Sequence, residues 1–194
     1  TGMANYGEIR SLVEFLEKEE AGPVTVLHCI SKYPSVKEDL QLGVIPALKD
    51  ALGKPVGYSD HYPGNKACIV AISLGANVIE THFTDDTSRE GGDHHHSCNP
   101  ESLKELVDFA RTYPVMAEGG LDSLENRSDR EFAPAFRRGV YAKSDLPAGT
   151  VLTVDNLLFC RPESELSPND EILGKKLKTS VQAEESIRAG NLED

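Results

Sequence analysis

Three short runs that read as strands, the β-branched GPVTVLHC (22–29), then KPVGYSDH (54–61) and ANVIETHFT (76–84), alternate with segments of helical apolar period. This alternation constrains the fold more than any other feature of the chain. Strand starts near Pro23, Pro55 and Ala76 have the spacing of βα units, which build a parallel sheet with covered faces. Helical segments fill the gaps. Ile9, Leu12, Val13 and Leu16 share one face of 7–20. Segment 38–52 reads as helical in two pieces, because Pro46 can open a helix but not sit inside one. Segment 64–75 ends at Gly75. Segment 99–112 has Asn99 as N-cap and Pro100 at the first helical position. Three strands cannot close a barrel or form a stable doubly wound sheet alone. Thr1-Gly2-Met3 also reads as the end of a strand running into a helix, so the chain is expected to be a fragment.

After Tyr113 the pattern changes. Residues 119–135 are rich in Gly, Pro and charge and read as a linker between an α/β part, 1–118, and a small, mostly β domain, 136–194. A net charge of −12 without a run of Lys or Arg argues against nucleic acid and anionic membrane surfaces as partners. No apolar run has transmembrane length. Cys29, Cys68, Cys98 and Cys160 are scattered, without a CxxC spacing, the usage of reduced thiols in a cytoplasm.

In parallel α/β sheets, ligands gather at the carboxyl ends of strands. Here those ends read Ser59-Asp60-His61 and Glu80-Thr81-His82. Adjacent strands lie about 4.8 Å apart, so His61 and His82 can approach one divalent ion such as Mn²⁺, with Ser59 and Glu80 beside them. The alternative is that each histidine caps its strand and bonds a loop carbonyl. His28, at the end of the first run, reads as structural. The triplet His94-His95-His96 looks more like a metal site than it should. In extended chain adjacent side chains point to opposite faces, so the three cannot all face one ion. One at most is expected at the mouth of the site and the others on the surface, beside the metal, with metal binding surviving their joint replacement. Asp93 is the better-placed polar group of that loop, for a substrate or for the following helix dipole. No G-x-S-x-G elbow, Walker A loop or dinucleotide fingerprint is present.

Several separated motifs carry a resemblance. TGMA (1–4), LHCISKYP (27–34), GYSDH (57–61) and SLGANVIETHFT (73–84) resemble, in matching order, the N-acetylneuraminate (sialic acid) synthases and their legionaminic and pseudaminic acid relatives. AKSDLPAGTVLTVDNLLFCRP (142–162) and LGKKL (173–177) are similar to the antifreeze-like SAF domain of that family.

The resemblance implies an α/β fold: strands six to eight of a (β/α)8 TIM barrel, followed by the SAF domain. It implies a homodimer in which that domain reaches over the partner's site, and condensation of phosphoenolpyruvate with an N-acetylated hexosamine. His61 and His82 would hold Mn²⁺ or Mg²⁺. Ser31, Tyr33 and Ser59 would bind phosphoenolpyruvate, Glu80 would orient groups near the metal or manage a proton, Asp93 would contact the sugar, and Arg161 would serve the partner's sugar N-acetyl group. The 194-residue chain alone would be inactive.

Three departures stand out. Thr81 replaces a family Lys, His95 and His96 replace Lys and Ala of the family's PDHKASLEP loop, and VQAEESI (181–187) replaces a stretch with Gly-Glu. Two other classes remain open: a non-catalytic sugar-binding or interaction module, and a metal-dependent hydrolase using His61, His82 and Glu80.

Overall fold

The α/β part begins with a reciprocal cap. In the computed structural model, which describes residues 1–193, the Asn5 side chain accepts the Glu8 N–H at 3.1 Å, and the Glu8 carboxylate accepts the Asn5 N–H at 2.7 Å. This capping box satisfies two amides that a helix start leaves free and opens α1 (Tyr6–Lys18). Of the expected apolar face Val13 is buried and Ile9 half-buried, whereas Leu12 is exposed. The chain divides into two units, Thr1–Glu118 and Gly119–Asp194.

In the first unit β1 (Val26–Cys29), β2 (Val56–Asp60) and β3 (Ile79–Thr81) form a parallel sheet in the order β1-β2-β3. Every residue of central β2 is buried, as expected for a strand covered on both faces. Gly57 is required there. A methyl at this position would overlap the Val78 carbonyl oxygen and lie 2.6 Å from Leu27 Cδ2. α2 (Val44–Leu52) is a single helix, not two pieces. Pro46 is its third residue, where no intrahelical N–H is needed, and the chain before Gly43 forms turns with Gln41 at φ 43°. Left-handed Gly53 (φ 62°) ends α2.

α3 (Lys66–Ser73) packs Ala67, Cys68, Ala71 and Ile72 into the core with Ile45, Leu48, Val56 and Tyr58. α4 (Pro100–Ala117) has the expected Asn99 cap but continues through Pro114. The Tyr113 hydroxyl donates to the Ser73 carbonyl at 2.9 Å and its ring lies 5.7 Å from Phe109, which holds this last stretch against α3.

The second unit opens with exposed 3₁₀ turns at Leu121–Leu124 and Ser128–Phe132 and one turn of helix, α5 (Ala133–Phe136). β4 (Gly139–Ala142) and β5 (Leu157–Cys160) then pair antiparallel. Isolated bridges such as Leu146–Val181 and Leu177–Leu192 complete the pairing around a core containing Val140, Leu152, Leu177 and Ile187. Among the described residues no helix is long and apolar enough to cross a membrane, and all four cysteines are free.

Candidate active site at the carboxyl ends of the strands

Parallel register aligns the site. Ser59 lies opposite Glu80, and Asp60 opposite Thr81. The buried Ser59 hydroxyl donates to Glu80 Oε1 at 2.6 Å. One residue further, the His61 and His82 rings meet edge-on with centroids 5.2 Å apart. His61 Nδ1 lies 2.9 Å from the Ile30 carbonyl oxygen. A carbonyl only accepts, so Nδ1 carries the hydrogen of this bond and Nε2 is the nitrogen left for a ligand. Metal-binding histidines are commonly oriented in this way.

Alternation turns Tyr58 and Asp60 to the opposite face, toward α3. The buried Asp60 carboxylate accepts the Tyr58 hydroxyl at 2.8 Å, the Tyr62 N–H at 2.9 Å and the Cys68 thiol at 3.0 Å. Burial, reinforced by Asp60, pushes the Tyr58 hydroxyl and Cys68 thiol upward, so both stay protonated and donate. His28 is structural: its buried Nε2 donates to the Leu40 carbonyl at 2.7 Å and its ring lies beside Tyr58.

The loop after β3 folds back over this edge. The Cys98 N–H donates to the His82 carbonyl and the Thr84 N–H to the Cys98 carbonyl, each at 2.8 Å. Gly91 (φ 81°) and Gly92 (φ 57°) both adopt left-handed backbone, the conformation glycine reaches without strain. They lead into a 3₁₀ turn, His94–His96. The extended backbone assumed for the triplet is therefore absent, and a 3₁₀ turn sends successive side chains about 120° apart.

His94 Nδ1 meets Thr84 Oγ1 at 2.8 Å, His95 is exposed, and the His96 side chain is 0% exposed. His96 is thus the one of the three that enters the cluster, while His95 stays on the surface. Its ring is 5.3 Å from that of His82, and its Nε2 is 3.7 Å from Asp93 Oδ1. Asp93 Oδ2 is 3.3 Å from His82 Nδ1. Donor atoms of His82, Asp93 and His96 all lie within 4.8 Å of one another. Neither ring nitrogen of His96 has a hydrogen-bond partner, a loss of about 1–3 kcal/mol for a buried polar group. Burial pushes the His96 imidazole below the ordinary histidine value, against an opposing pull from Asp93, so the ring is neutral near pH 7 and offers a lone pair. Two imidazoles and a carboxylate with unused donor capacity fit a divalent transition ion.

Tyr33 lies against all three rings, with centroids 4.1 Å from His61, 5.9 Å from His82 and 6.2 Å from His96. The Tyr33–Pro34 peptide is cis. Ser31 is exposed, with Oγ 3.8 Å from Cys29 Sγ. Arg161 belongs to the second unit, where its guanidinium lies 5.2 Å from the Phe136 ring centroid. Within the first unit the structure brings together Tyr33, Ser59, His61, Glu80, His82 and Asp93. The entry of His96 into this cluster was signalled in the sequence only by the glycine pair and the D-x-x-H spacing. Asp60 stands behind the site, where period-2 alternation along β2 puts it.

An α/β unit with an imidazole cluster at its strand ends, joined to a small β domain, defines the class of protein. Residues 1–120 match the NeuB family and residues 137–193 the SAF domain. The chain belongs to the NeuB family and carries a SAF domain. It is 39% identical over 189 residues to an uncharacterized protein of Methanocaldococcus jannaschii, covering 96% of this chain and 56% of that protein. It is 35% identical over 192 residues to the N,N'-diacetyllegionaminic acid synthase of Campylobacter jejuni, covering 97% and 57%. The crystal structure of N-acetylneuraminic acid (sialic acid) synthetase from Leptospira borgpetersenii superposes with a TM-score of 0.58 at 33% identity, covering 67% of this chain and 48% of that one. The chain thus spans little more than half the length of the curated relatives it matches.

Proposed function

We propose that this chain is the C-terminal part of a sialic-acid-synthase-type transferase, with β1, β2 and β3 as strands six to eight of a (β/α)8 barrel and 136–194 as the SAF domain, joined through 119–135. The reaction joins C3 of phosphoenolpyruvate to the aldehyde carbon of an open-chain N-acetylated hexosamine; water adds at C2 and phosphate leaves by C–O cleavage. The observation that carries this reading is the meeting of His61 and His82 beside the Ser59–Glu80 pair in a chain of the NeuB family.

His61 and His82 hold a divalent ion, Mn²⁺ or Mg²⁺. When bound, such an ion supplies Lewis-acid polarisation of the aldehyde oxygen. The Ile30 carbonyl fixes the His61 ring with Nε2 free. Ser31, Tyr33 and Ser59 hold phosphoenolpyruvate by small neutral donors, which suits a chain of net charge −12. Ser59 also steadies Glu80 through Oε1, leaving Oε2 to orient a neighbouring group or take a proton. Asp93 contacts the sugar, and Arg161 reaches the N-acetyl group in the partner's site of a cytoplasmic homodimer.

The test is phosphoenolpyruvate-dependent consumption of N-acetylmannosamine by the full-length protein with divalent metal, with phosphate release measured in parallel. His61→Ala is expected to abolish both, and residues 1–194 alone are expected to show neither. Sugar binding without turnover would replace this reading with a binding module. Turnover without phosphoenolpyruvate would replace it with a hydrolase.

A further inference from the structure

The unpartnered buried imidazole of His96 has no role in the reaction just described. It lies three residues after Asp93, and side chains at i and i+3 of a 3₁₀ turn eclipse one another. That spacing puts Asp93 and His96 on one side of the turn, facing His82. Two donors bound to one ion at metal–ligand distances of about 2.1 Å are separated by about 3.0–3.4 Å. The pairs here are 3.3 Å, His82 Nδ1 to Asp93 Oδ2, and 3.7 Å, His96 Nε2 to Asp93 Oδ1. The second exceeds the hydrogen-bond range and agrees with the buried nitrogen having no partner. A hydrogen-bonded Asp93–His96 pair would have closed that gap. Shared coordination needs only a small adjustment of the Asp93 carboxylate, which is about half exposed.

We infer that His96 is a protein ligand of the divalent ion, forming with His82 and Asp93 a donor face that makes the site selective for a borderline transition ion over Mg²⁺. The inference rests on the reading of these strand ends as a metal site, but not on the reaction performed there. His82 is common to this face and to the His61–His82 pair, and Asp93 acquires a role toward the ion besides its proposed contact with sugar. The chemistry sets the preference. Imidazole nitrogen suits Mn²⁺, Fe²⁺, Co²⁺ and Zn²⁺ in increasing degree, whereas Mg²⁺ holds to oxygen ligands and water.

The experiment titrates metal-stripped full-length protein separately with Mn²⁺, Zn²⁺ and Mg²⁺ against a chromophoric chelator, and counts imidazole nitrogens on bound Mn²⁺ by pulsed electron paramagnetic resonance. His96→Ala is expected to weaken Zn²⁺ and Mn²⁺ binding by about tenfold or more, the scale set by loss of a supporting metal-site residue. It should leave Mg²⁺ nearly unchanged and remove one nitrogen from the spectrum. His95→Ala, at the adjacent exposed imidazole, is expected to change neither readout. Metal-free melting curves report whether each variant folds. If His96→Ala does not, His96→Gln keeps a buried polar side chain and is read by the same nitrogen count. Unchanged affinity and nitrogen count in the folded His96 variant would overturn the inference, as would an equal loss in His95→Ala. Loss of metal in the His96 variant alone, in a protein that performs no condensation, would sustain it while removing the proposed reaction.

Discussion

Two regions of the first unit deliver imidazoles to one place by different means. His61 and His82 stand at the ends of β2 and β3, where the parallel register that pairs Ser59 with Glu80 brings them together. His96 stands in a loop, positioned by two left-handed glycines, a single 3₁₀ turn and the hydrogen bonds linking Thr84, His82 and Cys98. The strand ends inherit their geometry from the sheet, so anything that moves the sheet moves the site. The loop rests on a few local bonds, and its contribution can be lost with little effect on the fold.

The sharpest way to break this comparison is through the sheet. Gly57→Ala puts a methyl onto the Val78 carbonyl and Leu27 Cδ2, backbone and core atoms that cannot both yield. A loss of about 3 kcal/mol is expected in urea denaturation, with loss of metal binding because the β2–β3 register carries His61 toward His82. Stability near that of the unmodified protein would show that the two strands can separate without cost, and the strand-end geometry would lose its basis.

A smaller effect comes from the face of β2 turned away from the site. Asp60→Ala removes the acceptor of the Tyr58 hydroxyl, the Tyr62 N–H and the Cys68 thiol. With buried donors left unpaired, a cost of about 2 kcal/mol is expected. Asp60→Asn, which keeps one acceptor oxygen, should recover part of it. The thiol gives a second readout. Because burial and Asp60 push Cys68 upward, it should resist alkylation at pH 8 in the folded protein while exposed Cys160 reacts, and Asp60→Ala should narrow that difference. Equal labelling of the two thiols in the unmodified protein would contradict this packing.

The same contrast explains what could be read from the sequence. Strand positions follow a period of two, and chain order with βα spacing fixes their neighbours, so Ser59, Glu80, His61 and His82 were legible as one constellation, and Asn99-Pro100 as a helix start. Loop positions have no period. The assumption of extended backbone sent His94, His95 and His96 to alternating faces, whereas a 3₁₀ turn buries the third of them. The proline rules also needed tertiary context. Pro46 was absorbed by the first turn of α2, and Pro114 lies within a helix whose end is tied down through Tyr113. In the second unit short strands joined by single bridges gave no periodic pattern, and its likeness to SAF domains rested on motifs.

The mildest perturbation separates loop from sheet most cleanly. The Asn99 side chain accepts the Ser102 N–H at 2.8 Å, and the Ser102 hydroxyl accepts the Asn99 N–H at 3.0 Å, so the loop that carries His96 ends in a rigid cap on α4. Asn99→Ala removes half of that box, with an expected cost of about 1 kcal/mol. Since Cys98, the preceding residue, bonds the end of β3 through its backbone, fraying at the cap should loosen the loop without disturbing the β1–β2–β3 register. Hydrogen exchange is expected to quicken at 94–102 and to stay unchanged along β2. Faster exchange throughout β2 would show that loop and sheet open as one unit, and the distinction between inherited and local geometry would fail.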